Sequence, residues 1–175
     1  MNIKTALLKE HSKTQTNQIV AWIGSDQIRF NSLFALFTSD NYRLVQRSAW
    51  PLGYAVLAHP FLIKKHYALL FKKLEDATSH DAVKRNTLRI LQEIDVPKKY
   101  HGTLMHLCFN FINTPTEKTA IRSFALTVLH RLSKTYTEII PEIKTIIAER
   151  WTYETPSFKS RATRFINDLP THQKD

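Results

Sequence analysis

The chain has 175 residues, 43% of them hydrophobic, and 25 Lys/Arg against 15 Asp/Glu for a net charge of +10. That length suits a single domain with a core of its own. Three Gly and one Cys speak against a turn-rich β architecture, a Gly-rich phosphate loop and an intrachain disulfide framework.

Ile3–Glu10 reads as a short helix with Ile3, Ala6 and Leu7 inward. After the polar stretch Ser12–Gln18, Thr16–Ile23 reads as a second short helix, stopped by Gly24, which takes a left-handed C-cap without steric cost. Ser25 and Asp26 cap a third helix through Phe37, with Ile28, Leu33, Phe34 and Phe37 apolar. Ser39 or Asp40 opens a long helix containing Pro51, which predicts a bend near Arg47–Trp50, since proline removes a backbone donor and crowds the previous turn. Pro60, Pro97 and Pro141 each fall in the first turn of a following helix. Thr78 with Asp81 is a candidate capping box, and Thr114-Pro115-Thr116-Glu117 has the residues of a stronger one. Thr155-Pro156 opens a last helix ending near Leu169-Pro170, and the polar tail Thr171–Asp175 is expected to fray.

Sliding the chain against itself by 38 residues aligns these elements. Val45 falls on Val83 and Ile121; Ala49 on Thr87, Ala125 and Thr163; Leu52 on Ile90, Val128 and Ile166; Val56 on Ile94 and Leu132. The spacing i, i+4, i+7, i+11 puts each set on one helix face. Trp50, Leu88 and Leu126 form a neighbouring column. In the second helices Ile63, Tyr67, Leu70 and Leu74 match His101, Met105, Cys108 and Ile112, then Ile139, Ile143, Ile146 and Arg150. A two-helix unit of 38 residues lies between the ~34 residues of tetratricopeptide units and the ~40–47 of HEAT and armadillo units. The expectation is one all-α domain: an atypical cap over 1–38, repeats over 39–76, 77–114 and 115–152, a capping helix over 153–169 and a tail over 170–175.

The tetratricopeptide Trp, Gly-Tyr and Pro positions are unfilled. Val45-Gln46-Arg47-Ser48-Ala49, Val83-Lys84-Arg85-Asn86-Thr87 and Ile121-Arg122-Ser123-Phe124-Ala125 instead give an aliphatic, a basic and then a small residue. With Asp40 and Asp81 ahead of the first two, this resembles the HEAT pattern over roughly Ser39–Leu169, although the third unit lacks the acidic lead-in. The resemblance implies a right-handed α-α superhelix whose second helices line an inner, partner-binding face. Leu129–Lys134, Ile140–Lys144 and Phe158–Ala162 also resemble short bacterial helical-repeat proteins, some of which carry the name adenylosuccinate lyase. That activity needs a longer chain and a Ser- and Gly-rich signature loop, which three Gly do not supply.

No stretch carries a P-loop, a dinucleotide fingerprint, a nucleophile elbow or a His-Glu-x-x-His pair, so no enzyme, cofactor or metal is expected. Among the eight His, no pair stands at i, i+4. His101 sits on an inward column, where a hydrogen-bonded buried imidazole is the plain expectation. His106 and Cys108 point to different sides of one helix, and Cys108 reads as a buried, inert thiol. No run approaches the ~20 apolar residues of a membrane span. Met1–Lys9 lacks the apolar core of a secretory signal, so a cytoplasmic protein is expected.

Two basic clusters remain. Arg47, Lys84, Arg85, Arg122 and Arg161 form a ridge along the first helices. Lys64, Lys65, Lys72 and Lys73, with His66 beside them, lie on the second helix of the first unit. At the same columns the next unit has Gly102, Thr103 and Asn110, and the third is flanked by Glu138, Glu142 and Glu149. A nucleic-acid groove stays basic along its length, so a protein or peptide partner ranks above DNA or RNA. The ridge serves either a polyanion or contacts between units.

Overall fold

The computed structural model describes residues 1–169, all of whose regular elements are helical. Pro170 and the tail lie outside the described residues. The helices group into two compact units, Met1–Asp95 and a second beginning at Val96, which divides the second repeat between them.

In the first unit, α1 (Ile3–Lys9) is capped by the Asn2 side chain, which accepts from the Thr5 N–H. α2 spans Lys13–Ile23, starting three residues before the predicted helix, because Ser12 accepts from the Gln15 N–H and so supplies the cap. Gly24 ends it at φ +49°, its N–H donating to the Val20 carbonyl at 2.9 Å. In α3 (Gln27–Phe37) Asp26 accepts from the Ile28 and Arg29 N–H groups. Ile28 does not join the core: it is 78% exposed, and Phe30 takes the inward position with Leu33, Phe34 and Phe37.

α4 (Tyr42–Ala58) is the hub of this unit and packs against α1, α2, α3 and α6. Its cap is Asn41, not Ser39 or Asp40, and the helix continues through Pro51. Val45, Ala49, Leu52 and Val56 are buried on one face, as the spacing requires. Full burial of each large aliphatic side chain contributes about 1.5–3 kcal/mol. The second helix differs from expectation: Pro60 opens a 3-10 helix, Pro60–His66, and the α-helix α5 (Tyr67–Glu75) begins only after it. The proposed Thr78–Asp81 box does not form. Thr78 donates its N–H and hydroxyl to Asp76, and His80 caps α6 (Asp81–Leu91) by accepting from the Ala82 N–H.

In the second unit, α7 (His101–Asn113) follows a 3-10 turn at Lys98–Tyr100. The strongest predicted cap fails outright. Thr114 closes α7, its hydroxyl donating to the Asn110 carbonyl, and α8 (Thr119–Ser133) starts only after Lys118. α9 (Ile140–Arg150) has Pro141 in its first turn, and α10 (Pro156–Asn167) starts at its proline. α8 is the hub here and packs against α7 and α10. The repeat columns hold through Ile121, Ala125, Val128 and Leu132, all buried, and slip by one residue in α10. Thr163 and Ile166 face outward, while Phe158, Ala162 and Phe165 are fully buried. Those three stand at i, i+4, i+7, and the two large rings set the rotation of the helix.

Candidate interaction surfaces

The ridge of cations is mostly turned into the fold. Arg47 Nη1 donates to the Leu7 and Leu8 carbonyls at 2.9 and 2.8 Å. These belong to the last turn of α1, whose carbonyls have no partner inside the helix. Lys84, only 9% exposed, reaches the Ala77 carbonyl at 3.5 Å. Arg122, 7% exposed, donates to the Pro115 carbonyl at 3.0 Å and also to that of Glu117. Lys84 and Arg122 share one repeat column, and each bonds the carbonyl seven residues before it. The repeated cation therefore clamps the loop that leads into its own helix. Arg161 donates to the Thr127 hydroxyl and lies over the Phe124 ring, 4.8 Å from its centroid. Arg85 alone of the ridge is half-exposed with no partner among the described residues.

Arg122 also enters a buried ion-pair group. Its Nη2 donates to Glu154 Oε2 at 3.0 Å, and Arg150 Nε donates to Glu154 Oε1 at 2.9 Å. The Glu154 side chain is fully buried. Burial alone would raise its pKa, but hydrogen bonds and charge from the two arginines outweigh that and hold it below the ordinary value. Loop 114–118 and the turn Trp151–Tyr153 are tied together by these contacts.

The lysines behave differently. Lys64, Lys65 and Lys72 are exposed and Lys73 is half-exposed. None forms a hydrogen bond or ion pair among the described residues. His66 is not one of the cations: its Nε2 lies 2.8 Å from Asn31 Oδ1, and its ring stacks on Phe34 with centroids 3.9 Å apart. Burial, helped by the charge of Lys65, lowers its pKa, so the ring is neutral at pH 7.

The structure adds a surface that the sequence reading missed. Trp50, Tyr54 and Leu57 stand at i, i+4, i+7 on the outer side of α4, at 38%, 43% and 50% exposure. With Gly53 they form one wall of a groove of about 130 Å³; Asn86, Arg89 and Ile90 of α6, with Glu93 just past its end, form the other. Trp50 shares a repeat column with the buried Leu88 and Leu126, yet it faces this groove and stacks on His11, centroids 5.0 Å apart. A Cβ at Gly53 would meet only Ile90 Cγ1, at 3.9 Å, so no contact inside the fold requires glycine there. Glycine in a helix interior costs about 0.5–1 kcal/mol relative to alanine. A mid-helix glycine one turn from an exposed tryptophan was the available signal.

A family model described as a HEAT repeat domain matches residues 3–167. The chain belongs to the HEAT repeat family. No curated protein and no solved structure matches it. In this HEAT chain the basic residue of the first helix is an internal clamp at Lys84 and Arg122, and the all-α repeat fold stands as the pattern implied. Among the described residues no group of three or more His, Cys, Asp or Glu is placed to hold a metal, and no helix is long and apolar enough to cross a membrane. Burial pushes the Cys108 thiol far up, which removes it as a nucleophile at neutral pH. His106 is bonded to Asn110, and His101 to the Val96 carbonyl and the Tyr136 hydroxyl at 2.8 and 3.0 Å.

Proposed function

We propose that the protein is a non-enzymatic HEAT scaffold, and that Lys64, Lys65, Lys72 and Lys73 bind an acidic protein or peptide. HEAT repeats commonly mediate protein interactions, and these lysines lie on the second-helix side that lines the inner curve of such arrays. The observation that carries the reading is the contrast in use of charge. The first-helix cations Arg47, Lys84 and Arg122 donate to carbonyls of their own fold, whereas the side chains of these four lysines donate to nothing among the described residues. Four ammonium groups within Pro60–Glu75 repel one another and are offset by carboxylates brought by a partner.

The test is affinity capture from native extract with the wild-type chain and with Lys64→Glu/Lys65→Glu/Lys72→Glu/Lys73→Glu. A protein retained by the first and lost by the second supports the reading; identical recoveries overturn it. Nucleic acid is the competing ligand for the same lysines. Phosphate contacts predict that affinity for duplex or single strand falls steeply as salt rises. With every ridge cation but Arg85 engaged internally, the described residues hold no strip of free first-helix cations running from repeat to repeat, which favours the protein partner.

A further inference from the structure

We propose that the groove between α4 and α6 is a separate docking site for a partner polypeptide, one presenting a bulky apolar side chain beside a carboxylate. Three observations carry this. The first is size. Pockets for small molecules run to roughly 300–1,000 Å³, whereas this groove holds about 130 Å³, room for one or two side chains. The second is composition. Trp50, Tyr54 and Leu57 leave apolar surface in water on one helix face, opposite the buried Ile90 of α6; aromatic anchors of this kind dominate binding energy at protein interfaces. The third is Gly53. It weakens its own helix without relieving any contact in the fold, since the nearest atom to an added Cβ is 3.9 Å away. What it does is keep the groove open, and that matters only when something enters.

Charge at the edges sets the chemistry of the entrant. Arg89 is exposed and has no partner among the described residues, while Glu93, just past the end of α6, is held by the Gln92 amide at 3.0 Å. No ion pair joins them. The guanidinium offers a fork for a carboxylate, and Glu93 repels one, so the acidic residue of the partner sits at the Arg89 end with the apolar side chain seated over Gly53. The lysines of the proposed inner-face site do not line this groove, and the two sites bind independently.

The experiment pans a random-peptide phage library against the full chain. The enriched peptides are then synthesised and titrated against wild type, Gly53→Leu, Arg89→Glu, Tyr54→Ala and the Lys64→Glu/Lys65→Glu variant. The expected enrichment is a Trp, Phe or Leu next to Asp or Glu. Binding is expected to weaken at least about tenfold, roughly 1.4 kcal/mol, in Gly53→Leu and Arg89→Glu, and to stay unchanged in the double lysine variant. Tyr54→Ala, at a half-exposed position, carries the test if Gly53→Leu fails to fold by circular dichroism. No enrichment, peptides that bind Gly53→Leu or Tyr54→Ala as tightly as wild type, or peptides lost only with the lysine changes would each overturn the proposal. The last outcome would leave the inner-face reading standing.

Discussion

Arg122 and Lys64 are both basic residues on helical elements, each in a cluster that reads as an anion-binding surface, yet they do opposite things. Arg122 is buried, bonded to two loop carbonyls and to Glu154; Lys64 is exposed, with no partner among the described residues. The difference lies in what each stem can reach. A cation near the start of a first helix stands beside the loop that feeds that helix, where backbone carbonyls lack helical donors. Lys64, on Pro60–His66, makes no such bond to a loop carbonyl among the described residues. Basicity along a repeat therefore does not by itself mark a polyanion surface, because the fold spends cations on its own unpaired carbonyls first.

The largest test of that contrast removes the partner of the buried arginine. Glu154→Gln leaves Arg122 with no compensating charge and is expected to cost about 3 kcal/mol of stability, read by chemical denaturation. The same carboxylate gives a pH signature. Its folded pKa lies below its ordinary value of 4.5, so its contribution is complete above that pH and disappears as pH falls through the lower folded value. The wild type should lose stability in that acid window more steeply than Glu154→Gln does; parallel acid-unfolding curves would contradict the geometry.

A smaller effect is expected from Arg47→Gln, which gives up charge-assisted bonds to the Leu7 and Leu8 carbonyls. About 2 kcal/mol is expected, with hydrogen exchange rising first in α1. Gly53→Ala should change stability in the other direction, by about +0.5–1 kcal/mol, since the added Cβ meets only an ordinary contact. Smallest of all, Lys64→Ala and Lys65→Ala should each shift the thermal midpoint by an amount equivalent to less than about 0.5 kcal/mol. A drop as large as that of Arg47→Gln would mean these lysines too are structural.

Much of the helical plan was legible because burial follows spacing. Val45, Val83 and Ile121 share a column and are all buried, and Asp26 caps α3 as its position suggested. Local capping signals were less faithful. Thr114–Glu117 has the residues of a cap, but Arg122 claims the carbonyls of that stretch and the helix starts later. Thr78 was drawn back to Asp76, leaving the cap to His80, a poor capping residue by propensity. In both cases a side-chain bond outside the motif competed with the motif.

The apolar period alone determined that this chain is a run of helices in a two-helix repeat, because a 3.6-residue stripe has only one face to hide. Which cations are free, which ring faces the groove and where the last helix slips its register were decided only by tertiary structure. Those outcomes depend on what lies across from each side chain: the Leu7 and Leu8 carbonyls within reach of Arg47, a carboxylate beside Arg122, and only Ile90 Cγ1, 3.9 Å from where a Cβ on Gly53 would stand. Neighbours of that kind come from distant parts of the chain, and a pattern along it does not contain them.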